Sequence, residues 1–442
     1  MDIKEKGILM VTSLAVCIIT CALMILSVLF FPKLKIGRFA IDTYWLVTLS
    51  GALFLVILGQ ISLADIKGAL FADTAVNPVK ILVLFISMTV LSVFLDELGF
   101  FAYLANKALG MAGKSQNKLF FLLYITVSVL TVFTSNDIII LTFTPFICYF
   151  AKNANISPIP YLVAQFVAAN TWSMMLIIGN PTNIYLASSY GVDFISYLKI
   201  MLLPTVTCGL TSLFVLWIMF RKKLSLPMTP EVMKVKIKDK LMLTVGLLHL
   251  SVCTVALAIG SYVGAPMWVI ALLCALSLFV CVGAICAVKR KPPVELALCV
   301  RRAPWQLIPF IISMFILILS LSGHGITQNI STALQGANTA YGYGISSFLA
   351  SNVINNIPMS VLFSSIIESA PQVQQTCALY ASVIGSNLGA LFTPIGALAG
   401  IMWTMILKNR GIKFGYIDFV KYVGAASIPA FAAALTVLNF II

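Results

Sequence analysis

Four polar clusters interrupt otherwise oily stretches of this sequence, and they hold most of its capacity for chemistry. The first is Thr134-Ser135-Asn136-Asp137, with Thr142, Thr144 and Pro145 downstream. The second is Ser351-Asn352-Val353-Ile354-Asn355-Asn356-Ile357-Pro358. The third is Gly179-Asn180-Pro181-Thr182-Asn183, preceded by Asn170. The fourth is Gly385-Ser386-Asn387-Leu388-Gly389, followed by Thr393-Pro394-Ile395-Gly396. Amides and hydroxyls both donate and accept hydrogen bonds, so such a lining suits a neutral hydroxylated solute. It suits equally well a small anion facing helix N-termini, with a cation on freed backbone carbonyls. Three Asn (352, 355 and 356) within an apolar region are costly unless they pair with one another or hold a ligand. We expect Asn136, Asn355 and Asn387 to hold the substrate.

Asp137 is the only acid at any of these tips. It reads as a carboxyl that takes up and returns a proton, as an ionised helix cap, or as a cation ligand. Asp96 and Glu97 end an apolar span, either as a solvated interfacial pair or as a proton relay. The ten Cys show no Cys-x-x-Cys spacing, and His249 and His324 stand far apart. The thiols therefore read as small buried hydrophobes, with no metal site. His249 reads as a packed, hydrogen-bonded group and His324 as interfacial. No nucleophile–base set is visible, so an enzyme is not expected. No cofactor is expected beyond a coupling ion, proton or sodium.

Elements that can place polar clusters inside apolar runs are set by the solvent. Of 442 residues, 61% are hydrophobic and 10% charged. A water-facing surface needs about 25% charged residues, so the lipid bilayer is the remaining solvent. Net charge +14 would attract nucleic acid, but the Lys and Arg sit in short loops between apolar spans, as the positive-inside rule requires. Clear spans fall near 8–31, 43–64, 80–98, 196–220, 241–263, 267–288, 305–322 and 416–441. The first is too long for a signal-peptide core and reads as a retained helix. Regions 119–150 and 336–369 are broken by polar tips, and 159–191 and 374–407 by Gly, Pro and Asn. Backbone cannot stay unpaired in lipid. The first two regions are therefore expected as re-entrant hairpins and the last two as broken helices. Asn356 is expected as an N-cap with Pro358 in the first turn, and Thr393-Pro394 as cap and first helical residue.

The halves look alike. Phe85-Ile86-Ser87-Met88 parallels Ile311-Ile312-Ser313-Met314, and Gly99 parallels Gly325. Asn136-Asp137 parallels Asn355-Asn356, Asn170 parallels Asn387, and Ile178-Gly179 parallels Ile395-Gly396. The basic loops 32–42, 99–118, 221–240, 289–302 and 408–415 are assigned to the cytoplasm, whereas 323–340 has no Lys or Arg and faces outward. Arg301, Arg302 and Trp305 read as interface anchors. The fold expected is all-α and polytopic, with repeats 1–222 and 241–442 of opposite topology joined by a basic linker 223–240. Each repeat has five crossing helices and one hairpin, and both termini lie outside.

These clusters resemble the ion transporter superfamily, most closely its arsenite permease branch. Phe94-Leu95-Asp96-Glu97-Leu98-Gly99-Phe100-Phe101 is similar to the motif after that branch's third helix. Asn136-Asp137 with Thr144-Pro145 is similar to its first hairpin, and Asn355-Asn356-Ile357-Pro358 to its second. Arg302-Ala303-Pro304-Trp305-Gln306 resembles the approach to its eighth helix, and Thr393 to Trp403 its second broken helix. The chain departs from that branch at Asn387, where an acid is usual, and at Ala390, where Pro is usual. The resemblance implies an elevator-like carrier exporting arsenite or antimonite by proton antiport. Its relatives carry sulfate, citrate or dicarboxylates, or exchange sodium for protons. It leaves room for a soluble transport ATPase and for a homodimer. The other partners expected are a small solute and the bilayer, with no nucleic acid.

Overall fold

The computed structural model describes residues 3–36, 39–71, 77–229 and 236–442. Arg38, Glu231 and Lys234, which fall in the loops 32–42 and 221–240 read above, lie outside the described residues. Among those residues, eight helices are long and apolar enough to cross a membrane, and the chain is a multi-pass membrane protein.

The first half begins with α1 (Ile3–Phe30) and a short antiparallel pair, β1 (Lys33–Ile36) and β2 (Phe39–Asp42). α2 (Thr43–Ile57) stops short of the expected span 43–64, because Gly59 takes a φ of +67° and turns the chain into a separate α3 (Leu63–Phe71). α4 (Pro78–Glu97) starts at Asn77, whose side chain accepts from the amides of Val79 and Lys80. It is buried along most of its length. Gly99, at φ +80°, leads into α5 (Phe100–Ala112). α6 (Gln116–Phe133) and α7 (Asn136–Asn153) form a hairpin. α8 (Ile159–Trp172) and α9 (Pro181–Ser189) are one helix broken by an extended stretch and a single 3-10 turn, Ile177–Gly179. Asp193, bonded to the amides of Ile195 and Ser196, opens α10 (Phe194–Leu224).

The second half runs in the same order: α11 (Lys240–Gly260), α12 (Met267–Val288), α13 (Val294–Arg302) and α14 (Leu307–Gly323). Gly325, at φ +77°, leads into α15 (Ile326–Leu334). A second hairpin follows, α16 (Thr339–Ile354) and α17 (Asn356–Glu368). α18 (Gln372–Gly389) and α19 (Leu398–Asn409) are again separated by one 3-10 turn, Pro394–Gly396. α20 (Tyr416–Ile441) closes the chain and carries a π turn at Val420–Gly424. Loops read from charge alone thus contain short helices: α5, α13 and α15.

Packing recurs as well. α6 lies on α8 and α16 on α18, while α4 packs on α12 and α2 on α14. α7 meets α19, α17 meets α9, and α10 pairs with α20. Large apolar side chains such as Leu273, Leu276 and Val280 of α12 point outward, which fits a lipid surround. The basic loops knit into one face. Met228 N donates to Lys114 O at 3.1 Å and Lys238 N to Leu98 O at 3.1 Å. Lys289 Nζ donates to Asp239 at 2.7 Å, and that ammonium holds the Asp239 carboxyl below the usual carboxylate range.

Candidate functional site

Each polar cluster begins a half-helix. α7 starts at Asn136 behind Ser135, and α9 at Pro181 behind Asn180, whose side chain accepts from Thr182 N at 3.2 Å. α17 starts at Asn356 and α19 at Leu398. The cap of α17 is Asn355, not Asn356, because Asn355 Oδ1 accepts from Ile357 N at 3.4 Å. Thr393-Pro394 does open a helical turn, but only the 3-10 one; α19 itself is entered through Ala397.

The four starts meet at one cavity of about 650 Å³. Ser135, Asn136 and Asp137 line it from the first hairpin, and Asn356 and Ile357 from the second. Asn180 and Pro181 line it from the first broken helix, and Ala397 and Leu398 from the second. Its mouth lies on the basic face, among Lys33, Arg301, Arg302, Trp305 and Gln306. Positive dipole ends of four helices therefore point into one volume. Asp137 is the carboxylate among them; Asp42 stands at the mouth, bonded to Gln306. Ser135 Oγ is buried there with no hydrogen-bond partner among the described residues, as is Thr89 Oγ1.

The other expected site residues form the walls behind this cavity. Asn136 Nδ2 donates to Asn170 Oδ1 at 3.2 Å, and Asn170 Nδ2 to Phe166 O at 2.9 Å. Asn387 is fully buried and fully bonded. Its Nδ2 donates to Asn183 Oδ1 at 2.7 Å and to Val383 O at 2.8 Å. Its Oδ1 accepts from Asn180 Nδ2 at 2.8 Å and Ser173 Oγ at 3.2 Å. With that capacity used, Asn387 ties the two broken helices together and is not among the residues lining the cavity. Asn183 Nδ2 holds the carbonyls of Ser173 and Leu176. Asn355 Nδ2 donates to Ile395 O at 3.1 Å, and Thr393 Oγ1 to Asn352 Oδ1 at 2.6 Å. Thr134 and Ser351 bond back to their own helices, at Leu130 O and Ser347 O. Thr182 Oγ1 and Ser386 Oγ are buried without a partner among the described residues, away from the cavity.

Two glycines make the breaks possible. A Cβ on Gly179 would stand 2.2 Å from Ser173 O, and one on Gly396 would stand 2.6 Å from Gly389 O. Backbone packs on backbone at both, so neither position takes a side chain without displacing the chain around it.

Asp96 and Glu97 do not line the cavity. Both bond Arg302, Asp96 through Nη2 at 2.7 Å and Glu97 through Nη1. Arg302 is thus an ion-pair partner as well as a wall of the cavity mouth, more than the interface anchor the sequence suggested. The sequence reading also passed over Thr89. It shares a face of α4 with Phe85 and Val93, all three against the cavity, and that four-residue spacing was its available signal.

The profile of the citrate transporter family (CitMHS) matches residues 43–384 of the chain. The arsenical pump membrane protein of Escherichia coli (strain K12) is 28% identical over 353 residues, which cover 75% of this chain and 80% of that protein. The putative arsenical pump membrane protein of Bacillus subtilis (strain 168) is 25% identical over 402 residues, covering 84% and 88%. The crystal structure of the YdaH transporter of Alcanivorax borkumensis superposes with a TM-score of 0.59 at 12% identity, covering 98% of both chains. That last likeness is one of fold.

Proposed function

The chain belongs to the citrate transporter family, and we propose that this secondary transporter exports arsenite or antimonite from the cell in exchange for protons. The observation that carries the reading is the single cavity where four half-helix N-termini meet around the lone tip carboxylate of Asp137. A neutral trihydroxide offers O–H donors to Asp137 and lone pairs to Ser135 Oγ and the Asn356 amide. Proton and solute then compete for Asp137: one must leave before the other binds, and that exclusivity is what antiport needs. The arsenical pump names of the relatives at 25–28% identity agree with this choice of solute.

The halves are inverted repeats, with the basic face in the cytoplasm and both termini outside. On that orientation the cavity is open to the cytoplasm. The hairpins and broken helices move as one body against a scaffold of α1, α2, α4, α11, α12 and α14, in an elevator-like step. The cycle runs on the ion gradient alone.

One observation favours a second reading, a small anion such as citrate or sulfate coupled to sodium or protons. Four positive dipole ends, with Lys33, Arg301 and Arg302 at the mouth, would hold negative charge. A flux screen in everted vesicles and proteoliposomes separates the two. Arsenite, antimonite, citrate and sulfate are each offered with a proton or a sodium gradient. Proton-driven arsenite or antimonite flux is expected; citrate or sulfate flux with no arsenite flux would overturn the first reading in favour of the second.

A further inference from the structure

Two motifs, 206 residues apart, meet on the basic face, and the arsenite-export reading uses neither. Asp96 and Glu97, at the end of α4, flank the guanidinium of Arg302, which ends α13. Lys238 approaches Glu97 at 3.8 Å. Two carboxylates against two cations make the cluster neutral. The acid side chains are only 10% and 12% exposed, so they are screened far less than an ordinary surface pair.

The cluster does not end there. The second oxygen of Asp96 accepts from Thr142 Oγ1 at 2.7 Å. Thr142 lies on α7, the returning arm of the first hairpin, between the tip at Asn136–Asp137 and Pro145. Asp96 is therefore bonded to α13 through one oxygen and to the hairpin through the other. Those two oxygens bridge an arm carrying the cavity tip and the corner that frames its mouth.

We propose that Asp96 and Thr142 are positioning residues: an Asp96–Arg302–Glu97 corner that latches the first hairpin in the state open to the basic face. The bond must break for the hairpin arm to travel past α4, so it stabilises the open state alone. One charge-assisted hydrogen bond is enough to shift a two-state equilibrium about tenfold. This inference rests on the moving-hairpin reading above.

Hydrogen–deuterium exchange of the full chain in lipid nanodiscs, without solute, tests it. Thr142→Val keeps the shape and removes the donor, whereas Thr142→Ser keeps the donor. In Thr142→Val, exchange is expected to fall about tenfold over the cavity-lining stretches 135–141 and 301–307 and to rise over 323–340. Asp96→Asn should move it in the same direction, and Thr142→Ser should retain the wild-type pattern. A wild-type pattern in Thr142→Val, or a Thr142→Ser pattern as altered as that of Val, overturns the latch. The readout needs no transport. Shifted exchange in a protein that moves none of the four solutes would leave the latch standing and remove the proposed export of arsenite or antimonite; flux with unshifted exchange would do the reverse.

Discussion

The two hairpin tips are built to the same plan and differ at two positions. In the first, Ser135 caps, Asn136 is the first helical residue and Asp137 the second; in the second, the corresponding residues are Asn355, Asn356 and Ile357. This is one position on from the sequence pairing of Asn136-Asp137 with Asn355-Asn356, because the helix of the second hairpin starts at Asn356. Asn136 and Asn356 both line the cavity, as do Asp137 and Ile357. One pair matches in chemistry, and the other sets a carboxylate opposite an isoleucine. The backbones differ as well. Ser135 sits at φ −75°, ψ 137°, ordinary extended backbone, whereas Asn355 sits at φ 73°, ψ 153°. The shared plan builds the cavity; the differences give a titratable group to one tip and none to the other.

The largest effect expected follows from that division. Asp137→Asn keeps the side-chain shape and removes the charge. Proton-driven flux in proteoliposomes should fall on the order of 100-fold, and its pH dependence should flatten. Ile357→Val at the matching position should change flux by no more than about fourfold, the worth of one buried methylene. Wild-type pH dependence in Asp137→Asn, or equal losses at the two positions, would erase the proposed division of labour.

The breaks behind the tips come next. Gly179→Ala forces a methyl against a carbonyl oxygen at 2.2 Å, and Gly396→Ala does so at 2.6 Å. Overpacking of this kind costs about 1–3 kcal/mol. Thermal unfolding in detergent should place Gly179→Ala near the top of that range and Gly396→Ala near the bottom. A wild-type melting temperature for both would mean that the chain can open the breaks at little cost, and their tightness would not be what holds the half-helices in place.

How much of this was legible from the chain follows from what each residue's neighbours reveal. Polar residues in lipid-length apolar runs announce themselves, so the tips at Asn136 and Asn356 and the breaks at Gly179 and Gly396 were readable. Partnership was not readable. Asn170 and Asn387 look equivalent, and both bond the carbonyl four residues back. Yet Asn170 meets the hairpin of its own half, whereas Asn387 crosses to Asn180 and Asn183 of the other. No spacing encodes that choice, because it depends on how the halves dock. Asp96 and Arg302 likewise carried no local sign of each other. The end of α2 at Ile57 was missed for a different reason: residues 58–64 remain hydrophobic enough to extend a span, and only the positive φ of Gly59 stops it.

The smallest effect tests the backbone difference between the tips. Asn355 occupies a region that is nearly exclusive to glycine and costs on the order of 1–3 kcal/mol. Its side chain offsets part of that cost through Ile395 O at 3.1 Å and, more weakly, Ile357 N at 3.4 Å. Asn355→Ala loses both bonds and keeps the strain, so it should lower stability by about 1–2 kcal/mol. Asn355→Gly loses the same bonds but relieves the strain, so it should fall within about 1 kcal/mol of wild type. At Ser135, whose side chain makes no cap bond, Ala and Gly should differ from each other by only about 0.5 kcal/mol, since no strain is there to relieve. Unfolding of the four variants in one detergent checks the order. If Gly proved worse than Ala at position 355, the second tip would not be held in this backbone conformation, and the two hairpins would differ only in the carboxylate.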